Sequence, residues 1–398
     1  MKDTTLPTFK LQGGSYFRVK NRIKRHSISL FKTFNNIPDG RSKQGLRFPL
    51  PMLLFTAFCA NLCGYTTCKD ICLWAKAHKQ LLQPYFHNSI QEYGIFNETT
   101  LSRAFALVKE ADMVTCWSDA KKIVGIKEDE VFSIDGKVLC GIQEKGIDRH
   151  ILSMIGHTTH KIYSQKTIPS KTNEIPCAQE MIKTSEFLRG KLILLDALHT
   201  QQNTAKVIRE VGADYLFTIK GNQKGLQSSI AAQFTKEKTD IRSMKYIKDH
   251  CSYEMTGKGR YIQIEVDTIE DPLFNSIYSQ EWRDIKTISR IHRVGIRNEK
   301  PFEETVYIIS SRSLKAKSLA IHIRNHWCIE NNLHWQKDNL FYEDHQTLRR
   351  GNAPRVMTFI RSMVLSIMAE FKCIREGVIR FQLDAGLLFR YLSTRNIV

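Results

Sequence analysis

Two hydrophobic periods alternate along the chain. Between residues 46 and 125 apolar positions recur every three to four residues, the spacing that lines up one face of a helix. Pro49 and Pro51 are placed to open a helix running to about Leu62. Thr66 or Thr67 is placed to cap the next through Trp74 to His78, and Asn97 precedes an amphipathic segment from Leu101 to Val108. After residues 127–130 the period falls to two. Residues 131–135, 150–155 and 161–168 read as three strands of an antiparallel meander, 173–185 as a helix, 191–196 as an unbroken apolar strand, 200–211 as a helix and 214–220 as a further strand. The order is βββαβαβ. A continuous apolar strand between helices belongs in the middle of a sheet covered on both faces.

A third regime follows. Residues 236–311 alternate again over 261–266, 285–292 and 305–309, with Gly257-Lys258-Gly259-Arg260 as a turn. This stretch reads as a β-rich insertion. Helical spacing resumes at Lys315 and ends in a last helix over 356–371. The expected organisation is a basic arm over 1–44, with at most a short helix over 16–31, a helical domain over 45–126, and an α/β domain over 127–398 that carries the insertion.

Composition narrows the class. Hydrophobic residues make up 42% of the 398 and charged residues 25%, a globular balance. The longest apolar stretch, residues 48–63, contains Pro49, Pro51 and Asn61 and has no signal-peptide layout, so it is expected as a buried helix of a cytoplasmic protein. The net charge is +19, and the first 50 residues hold eleven Lys and Arg against Asp3 and Asp39. An excess of this size attracts polyanions, of which nucleic acid is the commonest. Ten cysteines without a secretory signal are expected as reduced thiols. Cys59, Cys63, Cys68 and Cys72 sit among Leu, Ala and Phe and lack the tight C-x-x-C pairs of zinc sites; they read as small buried hydrophobes.

Candidate chemistry lies where the pattern ends its strands in acids. Asp135 and Asp196 close the first and fourth strands. If those strands are parallel neighbours, the carboxylates meet within a few Å and need cations to stay ionised together, and hard oxygen ligands select Mg²⁺ or Mn²⁺. A third acid stands in the helical stretch over 323–338, where His326, Glu330, His334 and Lys337 share one face. Three carboxylates complete a site for two ions roughly 3.5–4 Å apart at a phosphodiester. Glu343 and Asp344 are alternative third acids, Lys137 reads as an exposed lysine with no special task, and Asn222 either touches DNA or closes a turn.

Five motifs in order, Ser133-Ile134-Asp135-Gly136-Lys137, Leu195-Asp196-Ala197-Leu198-His199-Thr200-Gln201, Ile219-Lys220-Gly221-Asn222-Gln223, His326-Trp327-Cys328-Ile329-Glu330-Asn331 and Arg350-Gly351-Asn352-Ala353-Pro354, resemble the H-repeat-associated branch of the insertion-sequence DDE transposases. The resemblance extends over the helical region from about Gly45 to Asp112. It implies an RNase H-like core, interrupted by a β-rich insertion before the glutamate helix, that nicks transposon ends and joins the freed 3′-hydroxyls to target DNA. It further implies Asp135, Asp196 and Glu330 as ligands of two Mg²⁺, with Mn²⁺ as a substitute, and a homodimer on double-stranded transposon ends. Related transposases set a tyrosine, an arginine and a lysine around the glutamate. Here Lys337 fills the lysine place, while His326 and Ile323 stand at the arginine and tyrosine places. Lys337 is expected beside a phosphate, Arg324 or His326 in the arginine's role, and Trp327 either on an unpaired base or, as is ordinary for a helix tryptophan, in the core. The rival readings are an RNase H-like nuclease without strand transfer and a domesticated DNA-binding protein that has lost catalysis.

Overall fold

The computed structural model describes residues 31–44, 46–124, 129–140, 148–235, 249–257, 260–270, 282–297, 299–327 and 329–394. Most of the expected arm, residues 16–30 of its expected helix, the turn residues Lys258 and Gly259, and Cys328 lie outside the described residues.

One sheet of nine strands organises the molecule. The strands are β1 (Val131–Val138), β2 (His150–Gly156), β3 (Ile162–Ile168), β4 (Leu192–Leu195), β5 (Asp214–Ile219), β6 (Asp249–Gly257), β7 (Arg260–Ile269), β8 (Thr287–Arg297) and β9 (Lys300–Ser310). Their spatial order is β3-β2-β1-β4-β5-β9-β8-β7-β6. The meander β1–β2–β3 is antiparallel, whereas β1, β4 and β5 run parallel. An N-terminal all-helical region precedes this mixed α/β sheet, which has the expected RNase H-like topology.

One expectation changes in detail. β1 does not stop at Asp135. β4 ends at Leu195, opposite Ile134, so the rest of β1 loses that neighbour and continues to Val138 on β2 alone. The β-rich stretch also joins the central sheet: β9 pairs antiparallel with β5, Leu216 opposite Ser310, and β8, β7 and β6 extend the same sheet. β6 escaped the periodicity because it is an edge strand whose Asp-His-Cys-Ser-Tyr-Glu-Met-Thr-Gly sequence is mostly exposed and carries no apolar alternation.

Side chains of a strand alternate between its two faces. Ile193 and Leu195 of β4 join Phe132, Ile134 and Phe217 in a core under the helices Glu174–Lys183 and Gln202–Glu210. Leu192 and Leu194 join Val131 and Leu216 on the opposite face, beneath Leu314, Ala316 and Leu319 of the segment leading into the helix Ala316–His326. Continuing the alternation, Asp135 and Asp196 fall on the face of that helix, which leads to Glu330. Gly136 falls on the other.

A second core joins the two ends of the chain. The helix Leu50–Leu62 is apolar all round and buried at nearly every position, as an interior helix must be. Pro51 occupies its first turn, Thr67 Oγ1 accepts from Asp70 N at 3.1 Å to cap Cys68–Ala77, and Asn97 Oδ1 accepts from Thr100 N at 2.9 Å to cap Glu98–Leu107. Cys59, Cys63, Cys68 and Cys72 lie in this core. So does the helix Ala353–Met368, buried everywhere but Arg355. It begins three residues before the expected start and is followed by two unanticipated helices, Ile374–Leu383 and Ala385–Thr394. Among the described residues no helix is long and apolar enough to cross a membrane.

Candidate metal centre

The helix Ala316–His326 crosses the sheet ends and, after Trp327, the chain makes a π-helical turn over Glu330–His334 before resuming as Trp335–Phe341. Ile329 and Leu333 are buried in the helical core and fix this turn from behind. A π turn widens one helical repeat and is frequent at functional sites. Here it leaves Glu330 at the surface with His334 tucked beneath it. His334 Nδ1 lies 3.5 Å from Glu330 Oε2 and 3.8 Å from Asp135 Oδ2. Ligand atoms of Asp135, Glu330 and His334 all fall within 4.8 Å of one another, a triad able to hold a metal ion.

Asp196 stands beside this triad on a separate tether. It can only accept, so His326 Nε2 donates to its Oδ1 at 3.0 Å. His326 Nδ1 lies 2.8 Å from Ser133 Oγ, which lies 2.7 Å from His157 Nε2. The order His157, Ser133, His326, Asp196 is a continuous hydrogen-bonded chain from the interior to the carboxylate. Burial pushes the His157 imidazole down to about 3, so the chain starts from a neutral ring.

The electrostatics are those of an anion-rich cluster. Burial raises the Asp135 carboxyl above the usual range, and Asp196 and Glu174 nearby raise it further against the influence of His334. Asp196 is lowered chiefly by the hydrogen bond from His326, and Glu330 by that from His334. Two carboxylates and one imidazole within ligand reach, with a third carboxylate close enough to perturb them, form a donor set suited to a hard divalent cation. His334 belongs to the polar stripe of the sequence, and its place four residues after Glu330, one helical turn on, is the signal there for a further ligand.

Other candidates land elsewhere. Glu343 is no alternative third acid: it is completely buried, its Oε1 accepting from Thr358 Oγ1 at 3.0 Å and Arg361 Nη1 at 3.4 Å, its Oε2 3.7 Å from Lys137 Nζ. Lys137 is therefore not an idle surface lysine, and it also pairs with Asp338. Lys337, expected at a phosphate, is 2% exposed, and burial pushes its ammonium down to about 8 despite the pull of Glu343. It turns inward because its neighbours Glu343 and Asp338 supply the countercharge there. Trp327 is 60% exposed, which overturns the core role, and Arg324 is exposed as well. Asn222 links two turns, donating from Nδ2 to Ala197 O at 2.7 Å just behind Asp196.

A sheet of this order, with aspartates just past the last parallel pair of adjoining strands and a glutamate in the turn after the helix laid across them, is the framework of a DDE-type catalytic domain. The family described as "Transposase DDE domain" matches residues 128–367, and a companion family described as "DDE_Tnp_1-associated" matches residues 31–119. The chain belongs to the DDE transposase family. It is 29% identical over 380 residues to the "H repeat-associated putative transposase YhhI" of Escherichia coli (strain K12), covering 92% of this chain and 97% of that one. It is 28% identical to the "Putative transposase YncI" of Escherichia coli O157:H7, covering 92% and 93% respectively. A solved S-adenosylmethionine-dependent methyltransferase from Clostridium acetobutylicum overlaps at 14% identity over 36% of this chain and 50% of that one, with a TM-score of 0.12, too low to bear on the fold.

Proposed function

We propose that this chain is a metal-dependent DNA transposase that cleaves transposon ends and joins their 3′-hydroxyls to target DNA. The carrying observation is the gathering of Asp135, Glu330 and His334 beside Asp196 at the end of an RNase H-like sheet. In this reading Asp135, Asp196 and Glu330 hold two Mg²⁺, or Mn²⁺ in their place, and His334 backs Asp135 and Glu330. A divalent cation bound there lowers the pKa of the attacking hydroxyl and neutralises charge on the scissile phosphate. Asp135 and Glu330 supply the negative charge that retains it. His326 keeps Asp196 ionised and aimed, steadied in turn by Ser133 and His157. The basic charge of +19 draws double-stranded DNA towards the site. Arg324, His326 and Trp327 line the end of the helix that leads to Glu330; we assign Arg324 to a phosphate and Trp327 to stacking on an unpaired base. Two chains acting as a homodimer bring paired ends together.

The test is a cleavage and strand-transfer assay with the element's own inverted-repeat ends and Mg²⁺. Joined products that disappear in Asp135→Asn, Asp196→Asn and Glu330→Gln support transposition. Cleavage without joining shows a nuclease, and binding without cleavage shows a DNA-binding protein that has lost catalysis.

A further inference from the structure

A fourth acidic residue lies against the same site from the opposite face of the sheet. Glu174 is the first residue of the helix Glu174–Lys183, entered through Asn173, whose Oδ1 accepts from Ile175 N at 3.1 Å. Its carboxylate is divided between two histidines: Oε1 accepts from His150 Nε2 at 2.7 Å and Oε2 from His199 Nε2 at 3.3 Å. Gly136, next to Asp135, makes room for it. A Cβ on Gly136 would run into the Glu174 carboxylate and come within 2.7 Å of His150 Nε2.

His199 connects this carboxylate to Asp196. The two residues bound one short 3-10 turn, closed by the bond from His199 N to Asp196 O at 2.9 Å. On its far side the turn is tied to the β5 end by Asn222 Nδ2 on Ala197 O, and by Thr200 Oγ1 donating to Thr218 O at 2.9 Å. On its near side the imidazole of His199, 1% exposed, reaches Glu174, while its Nδ1 has no hydrogen-bond partner. Glu174 is thus the polar anchor of a buried ring, and without it both ring nitrogens are unsatisfied.

We infer that Glu174 is a positioning residue of the metal site: through His199 it holds the turn bearing Asp196, and through His150 and the Gly136 gap it sets that turn against the strand bearing Asp135. The inference rests on the metal-centre reading above. It assigns to Gly136 in the Asp-Gly-Lys motif, and to His199 in the Asp-Ala-Leu-His motif, a shared task that neither has alone.

Mn²⁺ titration of the full chain by calorimetry and electron paramagnetic resonance tests this, with circular dichroism verifying the fold. Glu174→Asp keeps the charge but withdraws the carboxylate by a methylene. Glu174→Gln keeps the reach and an acceptor for His199, its amide facing the more exposed His150, which can change tautomer. Positioning predicts about tenfold weaker Mn²⁺ binding in Glu174→Asp and recovery to within about threefold of wild type in Glu174→Gln. His199→Ala added to Glu174→Asp should weaken binding no further, since both act through one contact. The reverse order, with Gln the weaker binder, would make Glu174 a direct ligand and overturn the inference. So would wild-type affinity in every variant, or additive losses in the double variant. Should the wild-type chain itself fail to bind Mn²⁺, the metal-centre reading falls and this inference with it; loss confined to the inference leaves wild-type binding intact.

Discussion

Glu330 and Glu343 stand at opposite ends of the helix Trp335–Phe341, and their surroundings are opposite in kind. Glu330 is exposed, with Asp135 and Asp196 near it, His334 against its carboxylate and the positive charge of Lys137 farther off. Glu343 is sealed in the interior with Arg361, Lys137 and Lys337 around it. A buried carboxylate must be paired to remain charged, so the chain supplies cations at Glu343 as part of its own fold. At Glu330 the chain supplies mainly acids. A divalent cation, as proposed, would relieve that imbalance, and the contrast separates the proposed ligand from a structural acid where sequence proximity cannot.

The largest effect that sharpens this contrast is catalytic. Asp135→Asn, Asp196→Asn or Glu330→Gln should each reduce strand transfer on the order of a thousandfold, with little change in the thermal midpoint. Next comes stability. Glu343→Ala leaves Arg361 buried without its carboxylate and should destabilise the fold by about 3–5 kcal/mol in urea unfolding, whereas Glu330→Gln at the surface should change it by less than about 0.5 kcal/mol. A Glu343→Leu/Arg361→Met pair that recovered none of the loss would contradict the pairing.

The smallest effect is a titration. His157 is held near a pKa of about 3, below the imidazole's ordinary value of 6.5, because its ring is buried. Between these values the unfolded chain binds the proton and the folded chain does not, so stability rises with pH across this window and is lost as pH falls below 6.5. His157→Gln should flatten that decline by the equivalent of one proton in unfolding measured from pH 7 to pH 4. An unchanged slope would show that the ring is not kept neutral.

Much of the core sheet was legible in the chain. The unbroken apolar run of β4 and the change of period at Val131 marked the two strands that lead into Asp135 and Asp196, and the stripe over 326–337 pointed to Glu330; that the two strands are parallel neighbours came from the structure. Local spacing could not show which residues of that stripe face inward. Lys337 follows the same periodicity as Glu330, yet the carboxylates of Glu343 and Asp338 supply the countercharge that lets it sit inside. Trp327 has the composition of a core anchor and is exposed because Ile329 and Leu333 already fill that core. β6 lacked alternation, being an edge. Glu174 looked like an ordinary acid in a helix's first turn, since its histidine partners come from β2 and from the turn after β4.

The contrast between the two glutamates is tested most directly by titrating Mn²⁺ into the wild-type chain, Glu330→Gln and Glu343→Gln at a temperature where all three are folded. The account predicts binding to the wild type and to Glu343→Gln with similar affinity, and at least about tenfold weaker binding to Glu330→Gln. Unweakened binding in Glu330→Gln, or an equal loss in Glu343→Gln, would contradict it.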